Sequence, residues 1–254
     1  MKITVVGSGT IVPDPERVCA GYYVETGTHR LLLDCGPGTL HHLGRFGLPW
    51  DRLTHVALSH FHTDHIGDLP SLLFALKYGL TVPRRDELTI LGPAGTGDLL
   101  ERLRTAFGDY ITDPGFPLRS QDLRSGEVVG LEPGRIRLRV HATPHTAASI
   151  AYRIETPEGT LGYTGDTGFS RELGEFLQGV DLLIAECSLP DEQAMDAHLT
   201  PTRVAALASL ARPGRLVLTH VYPVFRGRDL VALVREGGWD GETHVAVDGM
   251  RFEL

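Results

Sequence analysis

Six consecutive residues, His60-Phe61-His62-Thr63-Asp64-His65, hold three imidazoles and one carboxylate. Nitrogen and oxygen donors crowded together without a thiolate suit Zn²⁺, Mn²⁺ or Fe²⁺. Three more donors appear later in the chain: His145 in His141-Ala142-Thr143-Pro144-His145, Asp166 in Gly165-Asp166-Thr167, and His220 after Thr219. Seven donors are too many for one tetrahedral ion and fit two ions with one carboxylate between them. Two cations about 3.5–4 Å apart can hold a bridging hydroxide and stabilise the attacking and leaving oxygens together. Binding also lowers the pKa of water to roughly 7, which gives a nucleophile at neutral pH. The chemistry that follows is metal-assisted hydrolysis, against the plainer alternative of a solvated polar loop.

Position decides between these readings, because each donor sits just past an apolar run. Val56–Ser59 reads as a short strand ending at the histidine cluster, and Arg135–Val140 alternates like a half-exposed strand before His145. Ile150–Glu155 and Thr160–Thr164 flank the turn Thr156-Pro157-Glu158-Gly159 as a hairpin leading to Asp166. Arg215–Leu218 leads to His220. If these strand ends share one edge of the sheets, the donors converge.

Further strands are predicted over Lys2–Val6, Tyr22–Glu25, Arg30–Asp34, Leu88–Leu91 and Leu182–Glu186. His244–Val247 with Met250–Leu254 is predicted to close a sheet. Helices are predicted over Asp68–Tyr78, Gly97–Phe107, Thr200–Ala211 and Asp229–Glu236, with Thr200 as N-cap and Pro201 in the first turn. The interleaving fits one α/β domain over 1–254, with sheets inside and helices outside.

Hydrophobic residues make up 42% of the 254, enough for a core that needs no disulfides. The three cysteines, Cys19, Cys35 and Cys187, are scattered, as reduced thiols in a cytoplasmic protein would be. The N-terminus lacks the long apolar core of a signal peptide, and no stretch approaches a membrane span. A net charge of -8 argues against non-specific binding to nucleic acid. A small anionic substrate stays open, because a metal supplies local positive charge.

His60-Phe61-His62-Thr63-Asp64-His65 matches the His-x-His-x-Asp-His motif of the metallo-β-lactamase superfamily. His145, Asp166 and His220 follow in the family's order, and Gly7-Ser8-Gly9-Thr10 and Leu32–Thr39 resemble its early strands and turns. The resemblance covers nearly the whole chain. It implies a four-layer αββα sandwich with two divalent metal ions at one edge, Zn²⁺ first, with Mn²⁺ or Fe²⁺ as alternatives. It also implies that His60, His62 and His145 hold one ion, that Asp64, His65 and His220 hold the other, and that Asp166 bridges them.

Ala197-His198-Leu199-Thr200, after Ala185-Glu186-Cys187, resembles a motif of the tRNase Z branch and its cyclic-phosphodiesterase relatives. That resemblance makes His198 the group that protonates the leaving oxygen, with Glu186 orienting it and Asp64 orienting the hydroxide. Asp34, Ser59 and Thr219 read as outer groups that could fix ligand tautomers. His29, His41, His42, His55, His141 and His244 show no partner pattern.

Glu in place of His62 would mark the diiron redox relatives, so His62 favours hydrolysis. The His-Leu-Thr element favours a phosphodiester over a lactone or thioester, whose hydrolases usually lack it. The tRNase Z branch typically carries a long arm between the residues matching His145 and Asp166, which here stand only 21 positions apart. Large structured RNA is therefore disfavoured. The expected substrate is a small phosphodiester: a cyclic nucleotide, a cyclic sugar phosphate or a short oligonucleotide. Lactone or thioester hydrolysis is the runner-up, followed by a non-catalytic metal-bound accessory role. Lys77, Arg84 and Arg85 could steer an anion, although solvated charge is the simpler reading. Relatives of this branch often dimerise, so a homodimer is also expected from the resemblance.

Overall fold

The computed structural model describes residues 1–132 and 135–254. Its strands form two seven-stranded sheets. The first has the spatial order β14 (Arg251–Glu253), β1 (Lys2–Gly7), β2 (Gly21–Thr26), β3 (His29–Leu33), β4 (His55–Ala57), β5 (Leu88–Pro93) and β6 (Leu118–Leu123). The second runs β13 (Thr243–Val245), β12 (Arg215–Thr219), β11 (Leu182–Glu186), β10 (Gly159–Tyr163), β9 (Ile150–Thr156), β8 (Ile136–Ala142) and β7 (Val128–Glu132).

The apolar runs are nearly continuous because both faces of each sheet are buried. Leu31 and Leu33 point into the layer between the sheets, where they join Tyr22, Leu138, Tyr152, Leu161, Ile184 and Val217. Leu32, one residue out of phase, faces the opposite way with Val6, Val56, Leu58 and Ile90. There it meets Leu43 of α1 (Thr39–Arg45), Leu69, Leu72, Leu73 and Leu76 of α3 (Leu69–Tyr78), and Leu100 of α4 (Thr96–Phe107). On the far side Leu183, Ala185, Leu216 and Leu218 pack on α5 (Arg171–Phe176), α6 (Pro201–Ala211) and α7 (Leu230–Glu236). The layer order is helix, sheet, sheet, helix, the expected αββα sandwich.

Two expectations need correction. The C-terminal strands do not close one sheet. β13 edges the second sheet and β14 crosses to pair with β1 in the first. The basic segment after α3 is not free to steer anions as a unit. Arg84 is buried and donates to the carbonyls of Asp51, Leu53, Asp86 and Glu87, while the Lys77 ammonium donates to the Asp113 carbonyl.

Strand polarity brings the donors to one edge. β10, β11 and β12 are mutually parallel, and β8, two antiparallel steps from β10, points the same way. β4 of the first sheet is brought against them by two inter-sheet bonds, from the Ile150 amide to the Ser59 carbonyl (2.9 Å) and from the Tyr152 hydroxyl to the Leu58 carbonyl (2.5 Å).

Candidate metal centre

A four-residue helix, α2 (Thr63–Ile66), follows β4 directly and presents Asp64 and His65, with His62 as its N-cap. It is tied to the exit of β3, where the Cys35 amide donates to the His65 carbonyl (2.7 Å) and the Asp68 amide to the Cys35 carbonyl (2.9 Å). Gly36 permits this approach, since a Cβ there would lie 1.9 Å from the Asp64 carbonyl oxygen. The Asp68 carboxylate accepts from the amides of Gly38 and Leu40 and so fastens the start of α1 to the same segment. After β10, Gly165 takes φ +56° against the Ser59 side chain and turns the chain to deliver Asp166. Asp34 and His220 also have left-handed backbones, at φ +57° and +53°. Non-glycine residues held there store strain that the surrounding contacts must offset.

All seven predicted donors come together. His60, His62, His145 and Asp166 form one group whose donor atoms lie within 4.8 Å of one another; Asp64, His65 and His220 form a second. A third group, Asp166, His198 and His220, joins them. Asp166 spans the pair, with Oδ2 3.8 Å from Nε2 of both His60 and His145 and 3.6 Å from Nε2 of His220. Its Oδ1 lies 3.3 Å from Nε2 of His65.

The outward nitrogens of the histidines are already engaged. Nδ1 of His65 bonds Asp34 Oδ2 at 2.7 Å, and Nδ1 of His60 bonds Ser59 Oγ at 3.0 Å, whose own proton goes to Asp34. His145 Nδ1 bonds the Ala197 carbonyl at 2.9 Å. His220 Nδ1 meets Ser188 Oγ at 2.9 Å, and that hydroxyl donates to Glu186. His198 Nδ1 meets Glu186 Oε1 at 3.0 Å. His60, His65, His145 and His220 thus point Nδ1 outward and Nε2 inward, the orientation a metal ligand requires, whereas His62 turns Nδ1 inward, 3.1 Å from His145 Nε2.

Inside, polar atoms are left over. His60 Nε2, His65 Nε2 and Asp166 Oδ1 are buried without a hydrogen-bond partner. Orphaned buried donors and acceptors are costly and rare. Their convergence on common points is what shared cations would satisfy, so the donor set fits two divalent ions. Electrostatics agrees. Burial, reinforced by the neighbouring imidazoles, pushes the His60 pKa down to about 2, and burial lowers that of His145. Both rings are thus neutral. Burial would raise Asp64 and Asp166, but the histidines around them outweigh it, holding Asp64 at about 2 and Asp166 well below the usual carboxylate range. His65 is raised despite burial because it lies between Asp166 and Asp34. Two ionised carboxylates beside the neutral rings of His60 and His145 suit cations at the centre.

His198 flanks the donors. Its ring centroid is 4.9 Å from that of His145 and 6.0 Å from that of His220, nearly parallel to the latter. Burial would lower its pKa, but the hydrogen bond and charge of Glu186 overcome this and raise it. Thr219 turns away from the centre to the Tyr22 hydroxyl at 2.6 Å. Tyr222 reaches the rim, 5.8 Å between centroids from His220, whereas Val221 and Phe225 are core. His141 stacks on Phe176 and takes no part. Besides the Ala197 carbonyl, two contributors escaped sequence reasoning. Ser188, two residues past Glu186 on a strand exit, could have been found by that spacing. The Tyr163 hydroxyl, which donates to Asp34 at 2.6 Å, leaves no signal in an apolar strand.

Residues 29–221 match the family model of the beta-lactamase superfamily domain, and the chain belongs to that superfamily of metal-dependent hydrolases. An uncharacterized protein of Mycobacterium tuberculosis is 31% identical over 258 residues, which cover all of this chain and 92% of that one. A ribonuclease Z of Mycolicibacterium gilvum is 28% identical, covering 89% of this chain and 86% of its own. Among solved structures, the metallo-beta-lactamase fold protein YhfI from Bacillus subtilis superposes with a TM-score of 0.84 at 26% identity, covering 100% of this chain and 98% of that one. No helix among the described residues is long and apolar enough to cross a membrane.

Proposed function

We propose that this protein is a dinuclear phosphodiesterase acting on a small phosphodiester: a cyclic nucleotide, a cyclic sugar phosphate or a short oligonucleotide. The observation that carries the reading is His198, fixed by Glu186 beside two donor sets that share Asp166. Thioester hydrolysis has less use for such an acid, because it expels a weakly basic thiolate whereas an alkyl phosphodiester must expel a basic alkoxide. The similarity to a ribonuclease Z agrees with phosphodiester cleavage.

In this reading His60, His62 and His145 would hold one cation and Asp64, His65 and His220 the other, with Asp166 available to both. Zn²⁺ is the first candidate, with Mn²⁺ or Fe²⁺ as alternatives. Bound there, the cations would supply a water of lowered pKa and positive charge for the phosphoryl oxygens. Asp64 accepts a hydrogen bond from the attacking water and sets its line of approach. His198, its Nδ1 held by Glu186, delivers a proton from Nε2 to the departing oxygen.

Substrate size follows from the second sheet. The 21 positions from His145 to Asp166 are taken up by β9 and β10, whose pairing begins at Thr156 opposite Gly159. A two-residue turn leaves no arm for the elbow of a transfer RNA. With a net charge of -8, a long polyanion is also repelled.

The test is elemental analysis alongside hydrolysis of bis(p-nitrophenyl) phosphate, lactones and thioesters. Two cations per chain with phosphodiester turnover are expected. Two cations with turnover of lactones or thioesters alone would refute the substrate class. Fewer than one cation after reloading would refute the centre.

A further inference from the structure

A crevice of about 500 Å³ is lined by Pro144, Phe169, Asp196, Thr202, Arg203 and Ala206. Its size is that of an ordinary small-molecule site. Its place is set by covalent connection to the centre. Pro144 precedes His145, Phe169 follows Asp166 by three residues, and Asp196 precedes His198 by two. Two of the loops that bring donors to the centre, and the one that brings His198, therefore continue directly into the walls of this crevice.

The loops are held together. The Gly168 amide donates to the Pro144 carbonyl at 3.0 Å, and Gly168 lies so close to the Asp196 backbone that a Cβ would come within 1.8 Å of its carbonyl oxygen. Arg203 donates to the carbonyls of Met195 and His198 and lies 3.5 Å from the Asp196 carboxylate. On this fixed frame Phe169 is 43% exposed and Met195 is 56% exposed. Of these two, Phe169 lines the crevice and offers a ligand a flat apolar face. The Asp196 side chain is fully exposed, so its oxygens remain available as acceptors.

We propose that this crevice is a nucleobase subsite, in which Phe169 is the stacking platform and Asp196 accepts from ring N–H or amino donors. The proposal rests on the phosphodiesterase reading and narrows its substrate class to nucleoside phosphodiesters, cyclic or linear. An aromatic face suits every base, whereas a sugar phosphate without a base leaves Phe169 uncovered. Arg203 has a positioning role, since it grips the backbone on either side of Ala197.

Two measurements on the metal-loaded protein test this. In the first, hydrolysis of thymidine 5′-(p-nitrophenyl) phosphate is compared with that of methyl p-nitrophenyl phosphate, which carries the same leaving group without a base. The wild type should prefer the nucleoside ester in kcat/KM. Phe169→Ala should reduce that preference about tenfold, through KM, while Phe169→Tyr restores it. In the second, calorimetry measures adenosine 5′-monophosphate binding, where Phe169→Ala should weaken Kd by about tenfold. Equal Kd values for the wild type and Phe169→Ala would overturn the subsite, whatever the catalytic result. The phosphodiesterase reading fails separately, if the wild type hydrolyses neither ester while binding of the monophosphate still depends on Phe169.

Discussion

Removal of the His198 imidazole is the sharpest test of the proposed mechanism. In His198→Ala, Glu186 loses the partner at Oε1 but keeps the Thr167 amide there (2.7 Å) and the Leu199 amide (3.2 Å) and Ser188 hydroxyl at Oε2. The lost bond is one of four to this carboxylate, and the His198 side chain, 15% exposed, lies near enough to solvent for water to replace it. The cost to folding is therefore at most the roughly 1.5–3 kcal/mol of a charge-assisted hydrogen bond. His198 stands outside both proposed ligand sets, so metal content should hold at two per chain. Catalysis should suffer far more. A general acid contributes about 10²–10⁴ in rate, or about 2.7–5.4 kcal/mol of transition-state stabilisation. The loss should depend on the leaving group. An alkoxide needs the proton, so 3′,5′-cyclic adenosine monophosphate turnover should fall by that full factor. A p-nitrophenolate leaves almost unaided, so bis(p-nitrophenyl) phosphate turnover should fall much less. Equal losses on both substrates, with metal content unchanged, would refute proton donation by His198 and leave it only a role in shaping the site.

Three further outcomes are expected. Because Glu186 raises the His198 pKa against the effect of burial, and the acid must be protonated to act, kcat on an alkyl ester should decline as pH rises through that pKa; Glu186→Gln should move the decline to lower pH, and an unmoved limb would contradict the pairing. Asp34→Asn places an amide among four donors, the Ser59 amide and hydroxyl, His65 Nδ1 and the Tyr163 hydroxyl, so metal affinity measured by chelator competition should fall about 10–100-fold. Burial, aided by His29, depresses the His55 pKa to about 4, so the fold favours its neutral form; this stability is present above roughly 6.5 and is lost as pH falls towards 4. The urea midpoint should therefore drop less between pH 7 and pH 5 in His55→Gln than in the wild type.

What the sequence disclosed and what it hid have separate physical causes. Strands buried on both faces, such as Leu182–Glu186, and capped helices such as that starting at Thr200-Pro201 carry their signals locally. The Thr200 hydroxyl does accept from the Arg203 amide. The donors were legible because each follows such a strand directly. β6 was not legible, because its Arg119, Ser120, Gln121 and Asp122 face solvent at a sheet edge and read as loop. It nonetheless matters to the fold: Asp122 accepts from the Gly95 and Gly97 amides and so caps α4 from a distance. α1 and α5 are short and each contains a glycine, and α2 has four residues, too few to show a period. The polar shell behind the ligands was least legible, since Ala197 contributes a carbonyl and Tyr163 a hydroxyl from within a core strand.

The centre lies across the seam between two sheets, and this explains where its rigidity comes from. Asp34, at the exit of β3, holds His65 directly and His60 through Ser59. Glu186, at the end of β11, holds His198 directly and His220 through Ser188. Each sheet thus has one buried carboxylate that orients two rings, and Asp166 faces both groups. The spacing between the groups depends on how firmly the sheets are registered. Three buried hydroxyls of the second sheet help make that connection, the phenols of Tyr163 to Asp34 and of Tyr152 to the Leu58 carbonyl, and Thr219 to the Tyr22 hydroxyl. Burial raises both phenol pKa values well above the usual range, with Asp34 adding to the effect, so each hydroxyl keeps the proton it donates. Tyr163→Phe would remove one cross-sheet bond while conserving the ring that packs on Tyr22. It would leave Asp34 with its three other donors, so the fold should persist. Because the bond it deletes is the one that joins Asp34 to the sheet carrying Asp166 and His220, the metal proposed to sit among His65, His220 and Asp64 should be released first on titration with chelator. Release of both metals together, at unchanged thermal stability, would show instead that the interlayer core alone sets the spacing.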